Sequence, residues 1–323
     1  MSFIAWVPEG SRAGAISSAL GGEWRTFYDL RIHRNVLVPM RYLLSSLRTL
    51  SYLVRRRPRA VIVQTPPVPA AALVLAWARL ARVPVVLDTH PASFAIDGRA
   101  LHRSMLPLLA RLVPRAAACI VTTPELGREI SRWKGTPLVL HEAPMVWSER
   151  IQPRSCSGAR RLLFISTFVP DEPLTEVLEA ARRLPEITVQ ITGDLRRLAP
   201  EAQRSAPANV QWTGYLVGDE YISALAGADV LMTLTDRRES VQRSAHEAVD
   251  ALRPLVLSQW PHIRELFPYA VLVENDPASI VHGIEDAFRR CDELSALAPR
   301  ARAVQHARWS EQLGQLRTAL GLA

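Results

Sequence analysis

Short apolar runs and helical stretches alternate along this chain of 323 residues. The apolar runs are bounded by turn residues and predict buried strands, which in the first half are 3–7, 60–64, 83–88, 119–122 and 138–140. Stretches with helical apolar spacing separate them, at 36–56, 69–82, 101–113 and 124–133. Strands that alternate with helices predict a parallel sheet covered on both faces.

The same alternation starts again after a polar segment at 147–158, which contains Pro, Ser and Gly and reads as a linker. Predicted strands follow at 161–166, 187–192, 210–212, 229–234, 255–257 and 271–273. Predicted helices lie at 173–183, 220–226, 242–252, 277–290 and 294–322, with a short helix from Pro261.

We therefore predict an α/β protein of two doubly wound, Rossmann-like domains that face a central cleft, with the ligand near the carboxyl ends of both sheets. The N-terminal domain would span residues 1–150. The C-terminal domain would span residues 158–305. A C-terminal helix at 306–323 would pack back toward the first domain.

Composition narrows the function only a little. The hydrophobic share of 48% suffices for two cores, and the net charge of +8 favours an anionic partner. The basic residues are dispersed, and no nucleic-acid recognition motif occurs, so we expect no nucleic-acid partner. Three cysteines (Cys119, Cys156 and Cys291) lie far apart without a CxxC motif, and we expect a reduced, cytoplasmic protein. No signal peptide and no membrane-spanning run is expected.

Two acidic residues have a spacing that suits an elongated ligand. Glu239 and Glu247 form an E-x7-E pair, and eight helical residues advance about 12 Å, too far for both carboxylates to act on one atom. A carboxylate that accepts two hydroxyl hydrogen bonds is suited to holding a sugar or a ribose. The alternative is a pair of solvated helix acids that interact with Arg238 and Arg243.

The surroundings of these glutamates resemble a known family. Segment 235–258, TDRRESVQRSAHEAVDALRPLVLS, resembles the nucleotide-sugar site of retaining family 4 glycosyltransferases of the GT-B fold. Further segments follow the order of that family, at 162–185, 189–194, 209–216 and 220–235. The resemblance implies a transferase that moves a sugar from a nucleotide diphosphate sugar to the hydroxyl of a glycan, a lipid-linked or a small-molecule acceptor, with retention at the anomeric carbon.

The resemblance also implies roles for the two domains and for single residues. The domain at 1–150 would bind the acceptor, and the domain at 158–305 would bind the nucleotide-sugar donor. Glu239 would orient the donor sugar and Glu247 would bind the ribose. Segments 58–71 and 83–94 are similar to acceptor-domain segments of the family, which places His90 at a D-x-H position beside the reacting sugar. His90 and Glu239 are thus the predicted catalytic residues. The alternative for His90 is a loop histidine bonded to local backbone.

The other predicted donor-binding residues surround the diphosphate and the base. They are the backbone amides of Ser240, Val241 and Gln242 near a helix N-terminus, together with Arg243, Gly193, Tyr215, Gly10 and Arg12. Gly10 would allow close approach of the loop at 7–14 and Arg12 would reach the diphosphate, unless that loop is a surface turn with a solvated arginine. Tyr215 would pack on the nucleobase or, alternatively, on a helix.

One departure from the family concerns charge. The loop after the first donor-domain strand usually carries a basic residue, but segment 166–173, STFVPDEP, is acidic here. The positive charge must then come from elsewhere, and the candidates are Arg12, Arg196, Arg197, Arg237, Arg238 and Arg243. The identity of the phosphate-binding residues stays open at this point.

Cofactor motifs are missing from the sequence. It has no HxxxH, no grouped acids and no GxGxxG after a strand, so we expect metal-independent transfer and disfavour a nicotinamide dehydrogenase. Segment 34–59 mixes leucines, aromatics and arginines, and either lies on an anionic membrane at its cytoplasmic face or forms a packed helix with a solvated basic end. Two other functions remain open: a nucleotide-sugar epimerase of the same architecture and a non-catalytic binder of anionic ligands.

Overall fold

The chain forms two compact units. The structure, a computed structural model, describes residues 1–7, 11–28, 38–95, 100–153, 155–156 and 158–322. Unit 1 comprises Met1–Ala143 and Arg308–Ala323, and unit 2 comprises Pro144–Ala307. Each unit contains one six-stranded sheet whose neighbouring strands pair in parallel. The predicted class, α/β with two doubly wound parallel sheets, is confirmed.

The strand order in unit 1 reverses next to its first strand. Its strands are β1 (Ser2–Ala5), β2 (Glu23–Thr26), β3 (Val61–Thr65), β4 (Val85–Thr89), β5 (Ala118–Val121) and β6 (Pro137–Val139). Its helices are α1 (Ser11–Ala19), α2 (Val38–Arg56), α3 (Val68–Ala81), α4 (Ala100–Leu112) and α5 (Pro124–Arg132), with 3-10 helices at Pro91–Phe94 and Val113–Arg115. The order β2-β1-β3-β4-β5-β6 reverses between β1 and β3.

Unit 2 repeats this plan. Its strands are β7 (Arg161–Phe164), β8 (Thr188–Thr192), β9 (Val210–Gly214), β10 (Val230–Thr233), β11 (Leu255–Ser258) and β12 (Val271–Val273). Its helices are α6 (Leu174–Arg182), α7 (Pro200–Arg204), α8 (Gly218–Gly227), α9 (Arg243–Asp250), α10 (Pro261–Leu266) and α11 (Pro277–Arg289), with 3-10 helices at Ser148–Arg150 and Leu195–Arg197. Helix α12 (Cys291–Ala319) begins in unit 2 and ends in unit 1.

The order of the second sheet, β12-β11-β10-β7-β8-β9, reverses between β7 and β10. In open α/β sheets, ligands bind outside the carboxyl ends of the strands at such a reversal. The loops after β7 and β10 in unit 2, and those after β1, β3 and β4 in unit 1, are therefore the places where each unit can hold a ligand.

Apolar residues cover both faces of each sheet, which explains the continuous apolar runs in the sequence. One face of the unit 1 sheet buries Ile4, Val61, Val63, Val85 and Leu87. The other buries Phe3, Ile62, Val86 and Ile120 against Ile16 of α1, Leu313 and Leu316 of α12, and Leu320 directly after it. The two faces in unit 2 bury Leu162, Phe164, Val189, Ile191 and Met232 on one side, and Leu163, Leu231, Leu255 and Leu257 on the other.

Two elements of unit 1 escaped the prediction. Segment 7–14 was expected to be a loop, but α1 begins at Ser11. Its sequence, SRAGAISSA, consists mostly of small residues and lacks the apolar periodicity that signals a helix. Strand β2 is an edge strand that pairs only with β1 and has three exposed residues of four, so an apolar run was not needed there.

The expected reduced state of the cysteines is wrong in one respect. Cys156 and Cys291 are joined by a disulfide, although 135 residues separate them. Such a pairing depends on the tertiary fold, because Cys156 precedes β7 whereas Cys291 begins α12. Cys119 is free and buried in β5, and its burial raises the pKa of the thiol to about 12.

Within the described residues, none of the helices is both long and apolar enough to cross a lipid bilayer.

Candidate functional site

In unit 2, Asp171 connects the two loops at the reversal of the sheet. Its carboxylate accepts a hydrogen bond from Thr235 Oγ1 (3.0 Å) and lies 3.0 Å from Arg237 Nη2. Its carbonyl oxygen accepts the backbone N–H of Asp236 at 2.8 Å. The loop after β7 and the loop after β10 are therefore held to each other by one side chain and its backbone.

The acidic segment 166–173 satisfies its own charge. Glu172 accepts hydrogen bonds from Ser166 Oγ (2.6 Å), Thr167 N (2.8 Å) and Thr167 Oγ1 (3.1 Å), while the charge of Asp171 faces Arg237. Because both carboxylates have partners, the acidic loop does not leave an isolated negative charge at this end of the sheet. The interaction also shows where one of the candidate arginines is held, directly beside the loop that lacks a basic residue.

The turn before α9 is held by hydrogen bonds that involve the side chains of Gln242 and His262. Gln242 is the N-cap residue; its Oε1 accepts from Thr233 Oγ1 (2.9 Å) and its Nε2 donates to Leu234 O (3.1 Å). The buried His262 places its Nε2 at 3.2 Å from Ser240 O. These contacts orient the first turn of the helix, whose partial positive charge favours an anion.

The three predicted backbone donors in this turn differ. The N–H of Ser240 donates to Arg237 O at 3.3 Å and is therefore already engaged. The amides of Val241 and Gln242 have no acceptor among the residues that the structure describes. Two of the three amides are thus available for a ligand.

Glu247 and Arg243 lie one turn apart on α9 and form an ion pair. Arg243 Nε donates to Glu247 Oε1 (2.8 Å), and Tyr221 OH of α8 donates to Glu247 Oε2 (2.6 Å). Burial and the nearby carboxylate raise the pKa of Tyr221, so the phenol stays protonated and remains a donor. Each carboxylate oxygen keeps a lone pair for a further hydroxyl group. The alternative interpretation, in which Glu247 pairs with Arg243, is correct for this contact. The ion pair does not prevent Glu247 from accepting hydrogen bonds from a ligand as well.

Glu239 lies in the loop between β10 and α9 and is half-buried. Its carboxylate forms no hydrogen bond or ion pair with any other residue in the described part of the chain. The predicted partner Arg238 instead stacks its guanidinium over Trp260, 5.3 Å from the ring centroid. Glu239 is therefore a partly desolvated carboxylate that is not committed to a structural contact.

Gly193, one of the predicted donor-binding residues, lies against a protein ring. Its φ is +139°, and a Cβ at this position would clash with the ring of Phe168. Phe168 belongs to the loop after β7 and packs edge-on against Trp212. Tyr215, after β9, is 69% exposed, so its ring is not packed on a helix.

In the loop after β8, Arg196 forms its hydrogen bonds with the neighbouring Asp194. Asp194 caps the 3-10 helix at Leu195–Arg197, and its carboxylate accepts from Arg196 Nε and Nη2 at 2.9 and 2.7 Å. The side-chain and backbone hydrogen bonds from Arg196 lower the pKa of Asp194 to about 2.

In unit 1, Arg12 is buried in α1 and is not a solvated surface arginine, so that alternative is wrong. Its guanidinium donates to Leu140 O (2.7 Å), His141 O (3.2 Å) and Glu142 Oε1 (2.8 Å). Its Nε lies 3.7 Å from Asp88 Oδ1. A diphosphate would have to compete with all of these groups, and the role of Arg12 as a donor-binding residue stays a prediction.

His90 follows β4 and lies next to the same buried aspartate. Its Nε2 is 3.5 Å from Asp88 Oδ2, and its backbone N–H donates to Thr65 O at 3.0 Å. Burial alone would raise the pKa of Asp88, but the His90 imidazole and the Arg12 charge hold it below its usual value. Asp88 stays ionised at neutral pH and can orient the imidazole, whose side chain is 36% exposed.

Gly10, the other predicted residue of the first loop, lies outside the described residues. In the part of the chain that the structure describes, no three His, Cys, Asp or Glu side chains are grouped closely enough to hold a metal ion.

Two family models match the chain, one for each half. Residues 8–144 match the model described as glycosyl transferase 4-like domain, and residues 159–290 match that of glycosyl transferases group 1. Together the two models cover most of the sequence in the order expected for a two-domain enzyme. The chain belongs to the glycosyltransferases. No curated protein sequence matches this glycosyltransferase.

Solved structures show that the fold is GT-B. HepE from Anabaena in complex with UDP and glucose superposes with a TM-score of 0.74 at 14% identity, over 100% of both chains. Sucrose-phosphate synthase from Thermosynechococcus elongatus superposes with a TM-score of 0.72 at 13% identity, over 98% of this chain and 97% of the other. An α,α-trehalose-phosphate synthase (UDP-forming) from Burkholderia vietnamiensis superposes with a TM-score of 0.71 at 13% identity, over 100% of this chain and 99% of the other. At such low identity the likeness concerns the fold alone.

Sequence reasoning missed several residues of this candidate site. Tyr221 has no motif of its own and was assigned only to a helix, although it donates the shortest hydrogen bond to Glu247. Asp171 was noticed only as part of an acidic loop, since the contact with Arg237 spans more than sixty residues of sequence. In the sequence, Phe168 is only a single aromatic residue after a predicted strand, which is a weak signal for a site residue.

Proposed function

We propose that this glycosyltransferase moves a sugar from a nucleoside diphosphate sugar to an acceptor hydroxyl with retention of anomeric configuration. The observation that carries the proposal is the arrangement at the reversal of the unit 2 sheet. There Glu247 is held by Tyr221 and Arg243, one loop away from the uncommitted Glu239. A site of this kind can bind two ends of one ligand, as a nucleotide sugar requires.

Different residues of unit 2 would bind different parts of the ligand. Glu247 would accept the ribose hydroxyls with its remaining lone pairs, and Glu239 would accept hydroxyls of the donor sugar. The amides of Val241 and Gln242 at the start of α9 would stabilise the diphosphate as its negative charge grows during bond cleavage. Arg237, held beside the loop after β7 by Asp171, would supply positive charge.

Uridine diphosphate is the first nucleotide to test. HepE is described in complex with UDP and glucose, and in complex with UDP-glucose, which supports a UDP-sugar as donor here. Because a diphosphate is a leaving group whose charge arginines and amides can stabilise, we propose that transfer needs no metal ion and rests on positioning and electrostatics.

His90 would act from unit 1 on the reacting sugar. Its imidazole is partly exposed, and Nε2 lies 3.5 Å from the Asp88 carboxylate. With the Nε2 proton directed at Asp88, Nδ1 can accept a hydrogen bond from a sugar hydroxyl. In this role it is a catalytic residue, since it contacts the substrate.

The acceptor is proposed to be a glycan or a lipid-linked glycan used in polysaccharide synthesis at the cytoplasmic face of a membrane. Helix α2 supports a peripheral contact, because Leu43, Leu47, Leu50 and Val54 repeat at helical spacing and are all exposed. The same helix carries Arg41, Arg48, Arg55 and Arg56. Exposed apolar side chains with arginines favour an anionic lipid surface.

Vesicle sedimentation tests this contact. The protein should bind vesicles that contain phosphatidylglycerol more strongly than vesicles of phosphatidylcholine alone, and Leu47→Asp should weaken that binding. Leu80→Asp is the matched control, because Leu80 is an exposed leucine on α3. Equal loss in both variants would mean that α2 is an ordinary surface helix.

Nucleotide binding and turnover test the central proposal. Calorimetry should detect binding of UDP or another nucleoside diphosphate, and transfer from the corresponding sugar nucleotide should persist in EDTA. Proton NMR of the first-formed product reports whether the anomeric configuration is retained. Interconversion of the sugar nucleotide without any acceptor would indicate an epimerase, and binding without turnover would indicate a non-catalytic role.

A further inference from the structure

A cavity lies within unit 1, at the carboxyl ends of β3 and β4. It is an open pocket with a volume of about 190 Å³. Its walls come from the N-terminal half of α2, the loop between β3 and α3 with the first turn of α3, the 3-10 helix after β4, and α4. The lining residues are Tyr42, Pro66, Pro67, Val68, Pro69, Ala92, Ser93, Leu101, His102 and Met105.

This pocket is apolar in character. Three prolines, Val68, Leu101 and Met105 contribute only hydrocarbon or thioether surface. The hydroxyl of the buried Ser93 donates to Thr65 Oγ1 at 2.9 Å and is therefore already engaged. The ring of Tyr42 packs against Trp6, with 5.9 Å between centroids. A ligand that fills this space is bound mainly by burial of its own apolar groups.

The pocket is directly connected to the predicted catalytic histidine. His90 is the N-cap residue of the 3-10 helix at Pro91–Phe94, and that helix supplies Ala92 and Ser93 to the wall. The backbone N–H of His90 donates to Thr65 O, the residue before the first proline of the opposite wall. A molecule that occupies the pocket therefore lies next to the loop that carries His90.

The rim of the pocket is apolar and lies next to positive charge. Leu101 is 53% exposed although it lines the cavity, and Met40, two residues before Tyr42, is also exposed. Helix α2, which contributes Tyr42, carries the exposed leucines and the arginines already described. An entering ligand with a hydrocarbon portion and a negative charge finds complementary groups on this side of unit 1.

We propose that this pocket binds the hydrocarbon portion of a lipid-linked acceptor, so that the acceptor's reactive hydroxyl reaches the vicinity of His90. The proposal rests on the proposed glycosyl transfer and specifies its acceptor class. The proposed occupant is an alkyl or isoprenoid chain, because the walls offer apolar surface from several elements and the described lining residues include no arginine or lysine.

A series of alkyl β-D-glucosides tests whether the pocket binds a hydrocarbon chain. Calorimetric affinities for the methyl, butyl, hexyl and octyl glucosides, each below its micelle concentration, should rise by about threefold to fourfold per methylene that enters the pocket. Leu101→Asp places a charge at the rim and should abolish this dependence on chain length. Leu108→Asp is the matched control, since Leu108 is an exposed leucine of α4 that does not line the pocket, and it should leave the dependence intact.

The outcomes separate this proposal from the proposed function. Affinities that do not change with chain length, or that fall equally in the Leu101 and Leu108 variants, would overturn the pocket assignment even if UDP binds and sugar is transferred. Phenyl glucoside binding more tightly than octyl glucoside would also overturn it, in favour of an aromatic acceptor. A clear chain-length dependence lost only in Leu101→Asp supports it, and it does so whether or not a nucleotide binds to unit 2.

Discussion

In both units the strand order of the sheet reverses beside the first strand, yet their ligand ends differ in chemistry. At the reversal in unit 2, polar side chains form one network around an accessible helix N-terminus, and Glu239 is left uncommitted. In unit 1, the corresponding end buries its charges in a compact cluster of Arg12, Asp88 and Glu142, beside an apolar pocket.

This difference indicates how one fold serves two ligands. A network with free amides and an unpaired carboxylate suits a polar, anionic donor that exchanges its hydration shell for protein hydrogen bonds. The buried charge cluster lies against His90 and helps to position it, but leaves its surroundings suited to apolar groups. The charges of unit 1 therefore serve mainly to position, whereas those of unit 2 serve mainly to bind.

The largest expected effect concerns stability and tests the role of Arg12. Arg12→Met would leave Asp88 and Glu142 without their buried partner, and we expect a loss of about 3–5 kcal/mol in the free energy of unfolding. Urea denaturation measures it, with Arg25→Met as control, since Arg25 pairs with Glu23 at the surface. If Arg12→Met keeps normal stability but loses UDP affinity, Arg12 contacts the diphosphate and the contrast between the units is weaker than described.

The next effect concerns rate. His90→Ala and Glu239→Ala should each lower the transfer rate by about 10²-fold or more, or about 2.7 kcal/mol of barrier, because contacts that strengthen in the transition state affect turnover more than binding. UDP affinity, measured by calorimetry, should barely change in either variant.

His282→Ala and Glu201→Ala are matched controls for these two variants, because both side chains are exposed and lie on α11 and α7. Nearly full activity of His90→Ala would reduce His90 to an ordinary loop histidine.

Much of this architecture is readable from the sequence, since buried parallel strands are short apolar runs that need no long-range information. Among the residues that the structure describes, eleven of the twelve strands overlap predicted ones, and the exception is the exposed edge strand β2. The glutamates were found because their spacing and sequence context resemble a family. Arg12, by contrast, could not be placed, because its partners Leu140, His141 and Glu142 come from a distant segment. Tyr221 was missed for the same reason.

A smaller effect tests how Glu247 binds. Glu247→Gln keeps the size of the side chain but loses its charge, and we expect UDP affinity to fall about tenfold, or about 1.4 kcal/mol. Tyr221→Phe removes one donor to the carboxylate and should weaken binding less than Glu247→Gln does.

Glu179→Gln on α6 serves as the control, because that exposed carboxylate pairs only with neighbouring arginines of its own helix region. Calorimetry with UDP compares the three variants, and an unchanged dissociation constant in Glu247→Gln would remove Glu247 from the donor site.

The smallest effect compares two buried aspartates, one in each unit, through the pH dependence of stability. The pKa of Asp88 is lowered in the fold, whereas burial raises the pKa of Asp250 in α9 despite hydrogen bonds from Met145 N and His306 Nε2. Stability rises with pH wherever the unfolded state binds more protons. Asp88 therefore contributes stability that is present above the unfolded pKa of about 3.9 and is lost as the pH falls through its lower folded value.

Asp250 has the opposite sign. Between about pH 3.9 and its raised folded pKa, the folded state holds the extra proton, so stability falls as the pH rises through this window. Urea midpoints from pH 3 to pH 7 measure both contributions. Asp88→Asn should flatten the rise on the acid side, and Asp250→Asn should flatten the fall above it. If both substitutions flatten the same part of the curve of stability against pH, the two aspartates are held in similar environments. The chemical contrast between the units would then not extend to their buried acids.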